Sequence, residues 1–207
     1  MPADSPTASH EPLTVTILVG GYGSRMGGVD KAALELNGKP LLDHVLDAVA
    51  PFAAEIFVVA NDDRLVGDPR FTVLHDPEPH AGVLPALLTA LDAATSPLLL
   101  LLACDMPFVS RDVVQHLRAY AANHDVVIPY VQSFAQPMHA IYRVAPCRAA
   151  IRTMLEHGGR RMISFLDEID TLRVGEDEIR QIDPEIRSFF NVNTPYDLEA
   201  ARHIAAS

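Results

Sequence analysis

Two cysteines in 207 residues, Cys104 and Cys147, cannot supply a disulfide framework, and neither stands in a spacing that would hold structural zinc. Long apolar runs are missing too. The longest, residues 98–104, covers about a third of the ~20 residues a membrane-crossing helix needs. Positive charge is scarce: 16 Lys and Arg face 27 Asp and Glu, a formal net charge of −11. Such a surface repels a phosphate backbone, which argues against general nucleic-acid binding but not against one phosphorylated small molecule held in a local cluster of cations. Residues 1–12 lack the basic-then-apolar order of a signal peptide and read as a frayed polar tail. No repeat or linker interrupts residues 13–207, so one domain in the cytoplasm, with no membrane contact, is the expectation.

What is present alternates short apolar runs with longer amphipathic ones. Residues 15–19 form a β-branched run that ends on Gly20 and Gly21, a strand entering a glycine loop. Pro40 opens a helical stretch with Leu41, Leu42, Val45, Leu46 and Val49 at helical spacing. Residues 55–60 and 71–74 read as a second and a third strand, and residues 85–94 as a helix. Residues 98–103 are apolar at every position, as a central strand covered on both faces should be. Ser110 is a plausible N-cap for a helix to Tyr120. Residues 125–129 and 138–144 read as strands, and 146–157 and 161–169 as helices. Thr194-Pro195-Tyr196-Asp197 offers a cap, a proline at the first helical position and an acid at the third, for a helix to about Ile204. This alternation predicts an α/β fold, a three-layer αβα sandwich around a mainly parallel, Rossmann-like sheet. In such sheets ligands bind beyond the carboxyl ends of the strands, which directs attention to the loops after the first, second and fourth.

The loop after the first strand runs from Gly20 to Lys31 and holds five glycines. Glycines let a backbone approach a ligand and turn its amides inward, as an anion cradle needs. Arg25 and Lys31 add positive charge that could hold a polyphosphate and offset charge building up during phosphoryl transfer. The bland alternative is a surface loop with two solvated cations. Two better-known loops do not fit: Lys31 is followed by Ala32 rather than the Ser or Thr of a P-loop, and Met26 stands where a dinucleotide fingerprint needs a small residue.

Asp105 follows the leucine-rich strand directly, in Cys104-Asp105-Met106-Pro107. Alone it reads as a turn residue stiffened by Pro107; beside the glycine loop it reads as an oxygen ligand for a hard cation. Cys104 reads as a buried apolar residue.

These segments, together with Asn37-Gly38-Lys39-Pro40 and Asn191-Val192-Asn193-Thr194-Pro195, fall in an order that resembles the molybdenum cofactor guanylyltransferase family of Mg²⁺-dependent nucleotidyltransferases. The resemblance covers nearly the whole chain after Leu13. It implies nucleotide and phosphate contacts for Leu18, Gly20, Gly21, Arg25 and Lys31, further nucleotide-binding positions at Asn61, Asp76 and Gly82, and a magnesium ligand at Asp105, with Mn²⁺ as a substitute metal. Arg160 and Arg161 match arginines for the pterin phosphate, and Asn191 and Asn193 the cofactor or metal side. Without the resemblance Asn61 and Asp76 read as turn residues, Arg160 and Arg161 as a solvated helix start, and Asn193 and Thr194 as capping. His139, in a segment the family places beside the cofactor, reads as a strand residue with its polar atoms satisfied rather than as a base.

The implied substrates are GTP and molybdopterin, and the implied reaction is attack of the pterin phosphate on the α-phosphorus of GTP with loss of pyrophosphate. Lys31, Arg25 and Asp105 would carry it, with no covalent enzyme intermediate. Gly20-Gly21 favours guanine where related cytidylyl enzymes carry Ala-Gly; Val19 and residues 78–82 depart from the family pattern near the base. The alternatives are a relative with another base or acceptor, or a nucleotide-binding module without turnover. Molybdoenzyme apoproteins or other cofactor-assembly proteins are the implied macromolecular partners.

Overall fold

The computed structural model describes residues 11–19, 34–61, 65–77 and 81–206. In chain order the strands and helices begin with β1 (Leu13–Val19), a small hairpin of β2 (Glu35–Leu36) and β3 (Lys39–Pro40), α1 (Leu41–Val49), β4 (Glu55–Ala60), β5 (Thr72–Leu74) and α2 (Val83–Ala93). They continue with β6 (Leu98–Ala103), α3 (Arg111–Tyr120), β7 (Val126–Val131), β8 (Phe134–Ala135), β9 (His139–Arg143), α4 (Val144–Glu156) and α5 (Met162–Asp167). The C-terminal part holds β10 (Thr171–Gly175), α6 (Glu176–Ile179), a 3₁₀ turn at Arg187–Phe189 and α7 (Pro195–Ala205).

The main sheet has the order β10-β7-β9-β6-β1-β4-β5, with β8 paired to β7. Every pairing along the path is parallel except those of β9, which is antiparallel to both β6 and β7. β6 sits at the centre because all six of its residues are buried. Leu98, Leu100 and Leu102 join β1 and the apolar faces of α1 and α3 on one side. Leu99 and Leu101 join α2, α4 and α5 on the other. Period-two alternation thus splits one leucine run between two cores, giving the three layers.

A third, smaller cluster of Leu36, Leu41, Val192 and Ala201 fastens α7 onto the β2–β3 hairpin. That hairpin turns on Asn37 and Gly38, both at positive φ, the pair a two-residue type I′ loop prefers. The Ser110 hydroxyl caps α3 by accepting from Val113 N, and Thr194 and Asp197 form the reciprocal capping box of α7.

The structure adds β8, β10, α6 and the small hairpin to the elements predicted from sequence. The predicted helix over 161–169 is shorter, Met162–Asp167, because the chain must straighten to enter β10. Residues 1–10 of the predicted tail lie outside the described residues.

Candidate active site

β1 has β4 on one side and β6 on the other, so the connections leaving β1 and β6 diverge at their carboxyl ends. An open α/β sheet forms its ligand crevice at such a divergence. Leu18 lies in register with Ala103, and Cys104 N donates to Leu18 O at 3.1 Å, which closes the two strand ends together. Asp105 follows directly, half-buried. Gly20, Gly21, Arg25 and Lys31 lie outside the described residues.

The other predicted residues gather on this same edge. Asn61 follows the last residue of β4, and Asp76 stands two residues after β5. Gly82 precedes the first turn of α2 at φ +108°, a conformation that favours glycine. These three belong to the β4–β5 side of the divergence. On the other side, α4 leaves the amino edge after β9 and runs back, so Gly158-Gly159-Arg160-Arg161 comes to the carboxyl edge. Gly158, at φ +80°, stops α4; its N donates to Leu155 O and Gly159 N donates to Met154 O. The glycine pair ends the helix, and the two arginines that follow are solvent-exposed.

Residues 183–193 form a strap across the α3 side of this edge. Asp183 receives the backbone amides of Arg187 (3.1 Å) and Ser188 (2.8 Å), and Ser188 Oγ in turn receives Ser110 N at 3.1 Å. Asn191 Nδ2 donates to Phe189 O at 3.0 Å, and Val192 N donates to the backbone oxygen of Asp105 at 2.9 Å. The Asn191–Asn193 segment is therefore bonded to the turn that carries Asp105. Asn193 N also donates to Asp197 Oδ2 at 3.0 Å, so its backbone takes part in capping α7.

Beneath the strap lies His139, opposite Leu102 and fully buried. It is a strand residue, as predicted, but it is not satisfied: neither ring nitrogen has a hydrogen-bond partner among the described residues. Its ring packs on Phe189 with centroids 4.6 Å apart. Burial pushes its pKa down to about 4; the neighbouring Ser188 backbone and Asp183 carboxylate oppose the shift without closing a hydrogen bond of normal geometry. A neutral imidazole so far from solvent is in no position to take a proton from a ligand. Burial likewise pushes the Cys147 thiol up, which keeps it protonated and inert.

Among the described residues no group of three or more His, Cys, Asp or Glu could hold a metal. The half-buried carboxylate of Asp105, at the carboxyl edge of the sheet, is of the kind that suits Mg²⁺, which takes one or two protein carboxylates and completes its shell with phosphate oxygens and water. It would not fit zinc or a calcium cage.

The sequence model of the MobA-like NTP transferase domain matches residues 15–171. A probable molybdenum cofactor guanylyltransferase of Natronomonas pharaonis is 32% identical, over 91% of this chain and 96% of its own. The molybdenum cofactor guanylyltransferase of Vibrio cholerae is 30% identical over 93% of each chain. Among solved structures, molybdopterin-guanine dinucleotide biosynthesis protein A of Archaeoglobus fulgidus superposes with a TM-score of 0.80 at 29% identity, over 93% of this chain and 98% of its own. A 2-C-methyl-D-erythritol 4-phosphate cytidylyltransferase of Thermus thermophilus has the same fold at 21% identity, with a TM-score of 0.73 over 95% of this chain and all of its own.

Proposed function

Because the chain belongs to the MobA-like NTP transferase family, we propose that it transfers GMP from GTP to the phosphate of molybdopterin, giving the guanine dinucleotide and pyrophosphate. The observation that supports the reading is the pair of backbone hydrogen bonds, Cys104 to Leu18 and Val192 to Asp105, that ties the end of β1, the Asp105 turn and the Asn191–Asn193 segment together where the sheet diverges.

The nucleotide takes the β4–β5 side, where Asn61, Asp76 and Gly82 stand, with the glycine loop and its Gly20 and Gly21 over the phosphates. The molybdopterin takes the other side, its phosphate drawn by the exposed guanidiniums of Arg160 and Arg161 and flanked by Asn191 and Asn193. An acceptor phosphate oxygen attacks the α-phosphorus. The new P–O bond forms as the bond to the bridging α–β oxygen breaks, and that electron pair leaves with pyrophosphate. Arg25 and Lys31 neutralise charge on the equatorial and leaving oxygens. Asp105 would hold Mg²⁺, which when bound shields the phosphate charges and polarises the reacting group. The acceptor phosphate is ionised near neutral pH, so no protein base is required, in keeping with the inaccessible His139.

Among the described residues no helix is long and apolar enough to cross a membrane. A cytoplasmic enzyme handing its product to molybdoenzyme apoproteins or other assembly proteins is the reading that accords with relatives named molybdenum cofactor guanylyltransferases.

Pyrophosphate release with Mg²⁺ tests the reaction, with GTP, CTP, ATP and UTP compared in the presence and absence of molybdopterin. GTP-selective, pterin-dependent release is the expected result. Release with CTP instead would move the base specificity to a cytidylyl relative, and silence with all four would remove the proposal.

A further inference from the structure

One aromatic side chain on the acceptor side is neither packed nor used by the reaction as described. Phe134 is 72% exposed, at the tip of the β7–β8 hairpin. β7 runs parallel to β10 and antiparallel to β9, and β9 is antiparallel to β6, so the hairpin rises from the same carboxyl edge as Asp105.

Register fixes its height. Ile141 faces Val127 on β7 and Leu100 on β6. Four residues further along β7, Val131 faces Phe134, which places Phe134 level with Cys104 on the line of β6, beside the Asp105 turn. From Phe134 to Ile141 the chain takes seven steps where β7 takes four, so three residues, Gln136, Pro137 and Met138, are looped out between β8 and β9. β8 therefore continues the column of β9, the immediate neighbour of β6, at a lateral spacing of about 5 Å.

The hairpin is held firmly for so exposed a feature. Gln132 and Ser133 turn it at φ +53° and +66°, positions that seldom accept side chains. Glu176 accepts Gln132 N at 2.7 Å, and that amide, with Arg180, holds the carboxyl below its usual range. Gln136 N donates to Pro129 O at 2.9 Å and its side-chain amide to Phe134 O at 3.3 Å. The fully buried Tyr142 fixes the looped residues by donating its hydroxyl to Pro137 O at 2.8 Å.

We infer that Phe134 is the stacking platform for the flat ring system of the acceptor, and so a determinant of acceptor specificity. This rests on the proposed transfer to molybdopterin. The nucleotide base is assigned to the β4–β5 side of Asp105. Phe134, paired with Val131, shares the α3 face with the strap that leads to Asn191 and Asn193. An acceptor whose phosphate attacks at Asp105 and whose planar ring passes the strap side therefore meets Phe134. A pre-ordered aromatic face binds such a ring at little entropic cost.

The test separates the acceptor from the nucleotide. In Phe134→Ala the KM for molybdopterin rises about ten- to hundred-fold, the loss expected for one removed stacking partner, while the KM for GTP changes by less than about twofold. Phe134→Trp restores the acceptor KM. Because the chain has no other tryptophan, this variant also reports binding, and its fluorescence is quenched by molybdopterin without GTP. An unchanged molybdopterin KM in Phe134→Ala overturns the inference while leaving the reaction standing. A concentration-dependent self-association that Phe134→Ala abolishes without affecting that KM overturns it in favour of an interface between copies. If the unaltered protein releases no pyrophosphate with molybdopterin, the reaction fails; quenching of Phe134→Trp then still supports the platform, and its absence removes that too.

Discussion

His139 sets a specific dependence of stability on pH. The folded chain buries it neutral with a pKa of about 4, whereas an unfolded histidine titrates near 6.5. The unfolded state therefore binds the proton more readily. Stability from this group is fully present above pH ~6.5, falls as the pH drops through the window between the two values, and changes no further below about 4. The full difference of about 2.5 pKa units corresponds to about 3 kcal/mol, of which about 2 kcal/mol is lost between pH 7.5 and pH 5. His139→Leu keeps an apolar side chain against Phe189 and removes two buried nitrogens that lack partners, so at pH 7.5 it should match or exceed the unaltered protein. Urea unfolding of both proteins from pH 7.5 to 5 isolates the effect, because every other titrating group is common to the two. The stability gap should widen by about 2 kcal/mol in favour of the leucine variant on acidification. A gap constant to within about 0.5 kcal/mol would show that His139 keeps an ordinary pKa, and a gap that narrows on acidification would show that it stays protonated when folded; either would refute the argument.

Other perturbations have equally definite outcomes. Asp105→Asn should lower Mg²⁺-dependent pyrophosphate release about a hundred-fold or more while leaving the unfolding midpoint near its original value, since several kcal/mol of charge stabilisation would go with the lost ligand. Thr194→Ala breaks the capping box of α7 and should cost about 1 kcal/mol in urea unfolding; no loss would mean that the box is formed but contributes nothing. Replacing Gln132-Ser133 with Asn-Gly should raise the unfolding midpoint by the equivalent of about 1 kcal/mol, because both residues now sit at positive φ. Gly82→Ala, at φ +108°, should destabilise by about 1–3 kcal/mol through backbone strain alone, because its Cβ would meet nothing within 4 Å; an unchanged midpoint in calorimetry would refute the strain.

Much of this architecture was legible wherever one residue pattern admits one structure. A six-residue run apolar at every position can hardly be anything but a covered central strand, so β6 and the placing of Asp105 beyond it followed directly. Thr194-Pro195 and Ser110 announced their helices through capping chemistry that acts within one turn. What escaped detection depends on partners distant in sequence. β10 carries Arg173 mid-strand and is ordered by pairing with β7, more than forty residues away. The looped-out residues 136–138 exist only relative to the register of β7 and β9, and periodicity does not report register. The β2–β3 hairpin had a usable signal in Asn37-Gly38, a pair that suits a type I′ turn, but strands of two residues show no alternation around it. For His139 the sequence located the strand and not the missing hydrogen bonds, because satisfaction of a polar atom depends on the strap that closes over it.

The contact of α7 and Val192 with Leu36 and Leu41 has a consequence for how the protein is made. Every strand of the main sheet is translated before the strap and α7, and domains fold largely as they emerge, N-terminal parts first. A nascent chain can thus assemble most of its two large cores, lacking only the part that Phe189 and Ile186 cover, while the turn at Asp105 still lacks Val192 and the β2–β3 hairpin still lacks its cover. The turn that carries Asp105 is thus completed after the sheet around it has formed, not by the folding nucleus.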